Sequence, residues 1–196
     1  MSYNQSFRFS QEEIIYVELL KNRNFKKASE EALSFVSLKH SPETLFSLAT
    51  DGFELTKNSS PKLFEKFISA KKLLKINPKT KISLYIKNDQ QINAGCIFLN
   101  KDHYAVYLNS GIINLMNLEE LKFVIGHELG HLKYQHHKII KEPGNRTPPV
   151  IQIRLFEHSR YAEISADRCG LFVADSLDVC KNALLKLGTG TDLRLI

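Results

Sequence analysis

At 196 residues the chain can bury one ample core, and its length favours a single domain over residues 1–196. With 43% hydrophobic and 24% charged residues it reads as globular, and no stretch approaches the roughly 18 consecutive apolar residues of a membrane-spanning helix, which excludes an integral membrane protein. The net charge is +6, and lysines crowd the first half at Lys57, Lys62, Lys66, Lys71, Lys72, Lys75, Lys79 and Lys81; with no interleaved aromatics or nucleic-acid motif they are expected to form a solvated face, not a nucleic-acid site.

Ser10 and Glu13 form a capping box ahead of Ile14, Val17 and Leu19 or Leu20, so a helix is expected from Ser10. Pro42-Glu43 opens a second helical stretch through Phe46, Ala49 and Phe53. Ser60-Pro61 opens a third, with Leu63, Phe64, Phe67 and Leu74 as its buried stripe. From Ile82 the period changes to two, and strands are expected at Ile82–Ile86, Asn93–Leu99 and Tyr104–Asn109, joined as a small three-stranded meander. Asn117 then caps a helix carrying Leu121, Val124, Ile125 and Leu129. Pro143–Pro149 reads as an exposed loop, followed by a long helix from about Val150 to Ala174 and a short one from about Leu177 to Leu187. The expected class is α+β, with a helical N-terminal part over 1–78 and a catalytic core over 79–190.

The helix that Asn117 caps contains His127-Glu128-Leu129-Gly130-His131. Residues four apart lie about 40° apart around a helix, so both imidazoles can bind one cation, with Glu128 beside them. This is the ligand pair and general base of a zinc hydrolase, in which the carboxylate takes a proton from a zinc-bound water and passes it to the leaving amine. A catalytic zinc keeps three protein ligands and one open position. Glu163 is the expected third ligand. Asp167, one turn further along the same helix face, is placed to hold the far ring nitrogen of a ligating histidine. Arg160 aims at the same site, either to stabilise an oxyanion or to pair with Asp167. Gly130 argues for close approach of another helix. His136 and His137 are expected to cap the end of the metal helix, His40 and His103 to lie at the surface, and His158 to pack without ligating.

Cys96, Cys169 and Cys180 have neither metal-site spacing nor the even count of a disulfide framework, and read as small buried hydrophobes in a reducing compartment. The segment Met1–Phe9 has no secretory signature, so a cytoplasmic location is expected. Nothing in the sequence sets the oligomeric state.

The blocks Ile92-Asn93-Ala94-Gly95, Leu108–Leu115, Glu119–His131 with His136, and Ser159–Arg168 resemble the zinc metallopeptidases of family 48, which include the heat-shock protease HtpX and the CaaX prenyl proteases. The chain looks most like the members described as zinc proteases with chaperone function. The resemblance implies a gluzincin (zincin-like) fold with one zinc on His127, His131 and Glu163, Glu128 as base and Asp167 in the outer shell. It also implies that the strand starting at Asn93, Ala94 and Gly95 receives an extended polypeptide substrate by strand addition. The activity so implied is that of a metalloendopeptidase acting on unfolded or flexible polypeptides; the alternative is a peptide-binding, chaperone-like or latent homologue with little turnover. Retention of Glu128 favours the enzyme, whereas residues 191–196 folding back into the cleft would favour latency.

Overall fold

The computed structural model describes residues 6–21, 46, 48, 50–100, 103–139 and 148–192, and it combines helices with one four-stranded sheet. The elements in chain order are α1 (Ser10–Lys21), β1 (Gly52–Leu55), α2 (Pro61–Leu73), β2 (Lys81–Lys87), β3 (Ala94–Asn100), β4 (His103–Asn109), α3 (Ser110–Leu115), α4 (Leu118–Lys133), a 3-10 turn (His136–Lys138), α5 (Pro149–Ala174) and α6 (Leu177–Thr189). No helix among the described residues is long and apolar enough to cross a membrane.

The sheet corrects the sequence expectation twice. It has four strands, because Phe53 lies in β1 and not in a helix, and β1 pairs antiparallel with β2 in the register Phe53↔Ile86. Its order is β1-β2-β4-β3, so the strands are not a meander: β2 runs parallel to β4, and β3 returns antiparallel on the far side of β4. The link between β2 and β3 explains the order. It is tied across the end of β4, where Ser110 Oγ donates to Asp89 O at 2.9 Å and the Gly111 amide donates to the same carbonyl at 2.9 Å. β3 is thereby carried past β4 to the sheet edge.

The helices bury the faces that their packing requires. In α2, proline at the first turn is followed by Leu63, Phe67 and Ala70, all buried against the main core with Leu84, Val106, Leu108, Phe123 and Ile125. α4 opens on a complete capping box: Asn117 Oδ1 accepts from the amides of Glu119 and Glu120, and Glu120 Oε2 accepts from the Asn117 amide at 2.8 Å. Glu120 is itself buried and paired at 2.8 Å with the buried Lys186 of α6, which fixes α6 against the start of α4. In α1 the expected stripe holds at Leu19 but not at Ile14 and Val17. Ile14 and Val17 are exposed, while Glu12, Ile15 and Leu19 face α5. The residues expected to form the loop before α5 and the stretch around Ala49 and His40 lie largely outside the described set.

α4 and α5 lie side by side along a seam of small residues. A Cβ at Gly130 would stand 2.9 Å from Cys169 Cβ and 3.0 Å from Ala166 Cα, and one at Gly126 would stand 2.8 Å from Val173 Cβ. Glycine here lets the two helix backbones approach, and that approach brings the Glu163 face of α5 to the His127 face of α4.

Candidate metal centre

His127 and His131 project from one face of α4, with His131 Nε2 3.0 Å from His127 Nε2. Glu163 comes from α5, its Oε2 lying 3.3 Å from His127 Nε2 and 3.5 Å from His131 Nε2. Among the described residues these three form the only group of histidine, cysteine and carboxylate side chains spaced to hold a metal ion. Ligand atoms about 2.0–2.1 Å from a tetrahedral cation stand roughly 3.3 Å from one another, so the observed separations fit such an ion without rearrangement. Two imidazoles and one carboxylate also match the donor set of an open hydrolytic site.

Asp167, one turn beyond Glu163, lies with Oδ1 2.9 Å from His127 Nδ1. The metal-facing and outer nitrogens of His127 thus each have an acidic neighbour. Burial disfavours a charged His127, yet the hydrogen bonds to Asp167 and Glu163 outweigh it and raise the imidazolium pKa to about 10 in the metal-free chain. Burial would push the Glu163 carboxyl up, but the two histidines hold it far below the usual carboxylate range.

Glu128 lies beside this group, partly exposed, and among the described residues its carboxylate has no hydrogen-bond or ion-pair partner. Arg160 is exposed, and no ion pair joins it to Glu163 or Asp167 among the described residues; the pairing with Asp167 is replaced by that with His127. Ala94 and Gly95 start β3, the outer strand of the sheet, which packs against α4. Asn93 precedes it and tethers it to β4, its carbonyl accepting from the Asn109 amide at 3.0 Å. Gly95 faces Tyr107 across the pair: a Cβ there would lie 2.5 Å from the Tyr107 hydroxyl. Burial first, and then the charge of Glu128, push the Tyr107 phenol up, so it stays a protonated donor near that carboxylate.

The sequence expectation missed the layer behind His127 and His131. His136 does not cap α4 at the surface; it is 2% exposed, and its Nδ1 stands 2.8 Å from Nδ1 of His131. His158 is buried beside it, with the rings 6.1 Å apart, and does not ligate. His103 is half-buried, with its Nε2 3.1 Å from Ser83 Oγ. Cys169 and Cys180 are buried, whereas Cys96 is only half-buried. Asp192 pairs with Lys186 at 3.2 Å, and residues 193–196 lie outside the described set.

Residues 63–147, which contain α2, the strands β2 to β4 and the histidine helix, match the model of peptidase family M48. Over that stretch the chain is similar to that family. A chloroplastic "plastoglobule-localized metallopeptidase 48" of Arabidopsis thaliana is 28% identical over 149 residues, covering 69% of this chain and 42% of that protein. A "protease HtpX homolog" of Sulfurovum sp. is 44% identical over 52 residues, which is 26% of this chain and 19% of that protein. One from Desulfatibacillum aliphaticivorans is 46% identical over 50 residues, 26% of this chain and 16% of that protein. The chain spans less than half the length of each of these relatives. No solved structure matches it. The matched family and the printed names of these relatives are those of peptidases.

Proposed function

We propose that the chain is a zinc-dependent metalloendopeptidase that hydrolyses peptide bonds in unfolded or flexible polypeptides, with residues 79–190 as its catalytic core. The observation that carries this reading is the convergence of His127 Nε2, His131 Nε2 and Glu163 Oε2 within bonding range of one point, from two helices held together by the Gly130 seam. Two imidazoles plus a carboxylate suit zinc, and three protein ligands leave a fourth position open.

Zinc, when bound, supplies Lewis acidity to a substrate carbonyl and to water. Glu128, free of competing partners, takes the proton of the attacking water as the new C–O bond forms. It then delivers that proton to the amide nitrogen as the C–N bond breaks. Asp167 fixes the tautomer of His127 through Nδ1, keeping Nε2 available as a ligand. The open edge of β3, beginning at Ala94 and Gly95, offers backbone groups to an extended substrate, which explains action on flexible chains with weak side-chain selectivity. Three free thiols suit a reducing, cytoplasmic setting.

The test is digestion of denatured casein with and without a chelator, beside Glu128→Gln. Cleavage should vanish in both cases, the variant losing at least about a hundredfold in rate while retaining zinc. Cleavage indifferent to both treatments overturns the mechanism, and stoichiometric zinc with no cleavage by the parent chain favours the peptide-binding or latent reading.

A further inference from the structure

We propose that Glu12 is a positioning residue for the metal centre, its carboxylate acting through His136 to orient and polarise His131. The inference rests on the zinc-site reading above. It concerns a segment, α1, outside the residues that match the family model.

Glu12 is 0% exposed, an expensive place for a carboxylate. Its two oxygens are used differently. Oε2 accepts from Ser165 Oγ at 2.7 Å, and that hydroxyl also accepts from the Phe9 amide at 2.9 Å, so this side anchors α1 to α5. Oε1 accepts from Arg8 Nε at 2.8 Å and faces two buried imidazoles, with His136 Nε2 at 3.5 Å and His158 Nε2 at 3.7 Å. Among the described residues neither Nε2 has a hydrogen-bond partner, so Glu12 Oε1 is the polar atom each one faces. Anchoring alone needs only Arg8 and Ser165; it does not call for two imidazole nitrogens aimed at the same oxygen.

The proton count along the chain of rings gives the arrangement its direction. A histidine that ligates through Nε2 carries its single proton on Nδ1. His131 Nδ1 must therefore donate across the 2.8 Å contact, and Nδ1 of His136 must accept. A neutral His136 then holds its proton on Nε2, the atom nearest Glu12. The opposite tautomer would set two protons against each other at 2.8 Å and turn a lone pair towards a carboxylate. Both ligating histidines thus end at an acid: His127 directly at Asp167, and His131 at Glu12 through one intervening ring. Each carboxylate makes its imidazole a better donor to the cation.

The experiment uses the full chain loaded with zinc and measures affinity by competition with a zinc-binding fluorescent chelator. Glu12→Gln and His136→Phe should each weaken binding by about 10- to 100-fold. Because they break the same relay, the double variant should bind no more weakly than His136→Phe alone. Ser165→Ala, which loosens the anchoring side only, should lower the melting temperature while leaving zinc affinity within about threefold. Nitrogen NMR of the unaltered zinc-loaded chain should find His136 protonated at Nε2, a reading that does not depend on any variant folding. Unchanged affinity in Glu12→Gln, fully additive losses in the double variant, or a proton on Nδ1 of His136 overturns this inference. A parent chain that binds no stoichiometric zinc instead overturns the metal-site reading on which it rests.

Discussion

Asp167, against Nδ1 of His127, is placed to act through a proposed ligand. It is 39% exposed at its side chain, so replacing it removes little packing, but among the described residues it is the only partner of His127 Nδ1. Asp167→Asn should therefore weaken zinc binding by about tenfold or more while changing the melting temperature of the metal-free chain by no more than a few degrees. Chelator competition and thermal unfolding on the same sample check both halves. The four-residue spacings that picked out His127, His131, Glu163 and Asp167 were legible because helix geometry alone puts such pairs on one face. The role of His136 was not. Its burial and its contact with His131 depend on the turn after Gln135, which adopts left-handed backbone at φ 57°, and on Glu12, which no local pattern connects to the histidine motif.

The two long helices define the centre only if their axes stay close, and the seam at Gly130 sets that distance. An alanine there gains helix propensity worth about 1 kcal/mol, but its methyl must displace Cys169 Cβ at 2.9 Å and Ala166 Cα at 3.0 Å. The second of these is backbone, so α5 has to move as a unit. Gly130→Ala should thus cost about 1–3 kcal/mol of stability, and because Glu163 rides on the displaced helix it should also weaken zinc binding. Denaturant unfolding with and without chelator separates the two effects. Helix starts were readable at this level where Pro61 and the Asn117–Glu120 box stand at helix beginnings, whereas Pro149, read as the end of a loop, is the first residue of α5. Strand order was not readable, because alternation in Ile82–Ile86 marks a strand but carries no information on its neighbours. The pairing is tied by the Asp89–Ser110 contact, between the β2–β3 link and the first residue of α3. In α1 the hydrophobic stripe misled for a related reason: the buried face is organised around the charge of Glu12, which a hydrophobicity pattern counts as outside.

For the molecule as a whole, the buried acid and histidines set how stability varies with pH, and the two sides of neutrality have different origins. On the acid side, burial is the leading influence on His158 and takes its pKa down from 6.5 to about 4. Burial would raise Glu12, but His136, Arg8 and Ser165 together hold it at about 2, below its ordinary 4.5. Both are depressed in the folded chain, so their contributions are present at neutral pH and lost on acidification, that of His158 between about pH 6.5 and 4 and that of Glu12 between about 4.5 and 2. On the alkaline side, His127 in the metal-free chain is raised from 6.5 to about 10, so its contribution is complete below pH 6.5 and disappears as the pH climbs towards 10. Opposite slopes on the two sides put the stability maximum of the metal-free chain near pH 6–7. Zinc replaces the proton on His127, so loading the metal removes the reason for the alkaline decline while leaving the acid limb in place. Thermal unfolding from pH 4 to pH 10, with chelator and with saturating zinc, should therefore give a dome in the first case and a shoulder that stays high to alkaline pH in the second. Two curves that fall in parallel above pH 7 would mean that the proton on His127 and the cation do not compete for the same nitrogen.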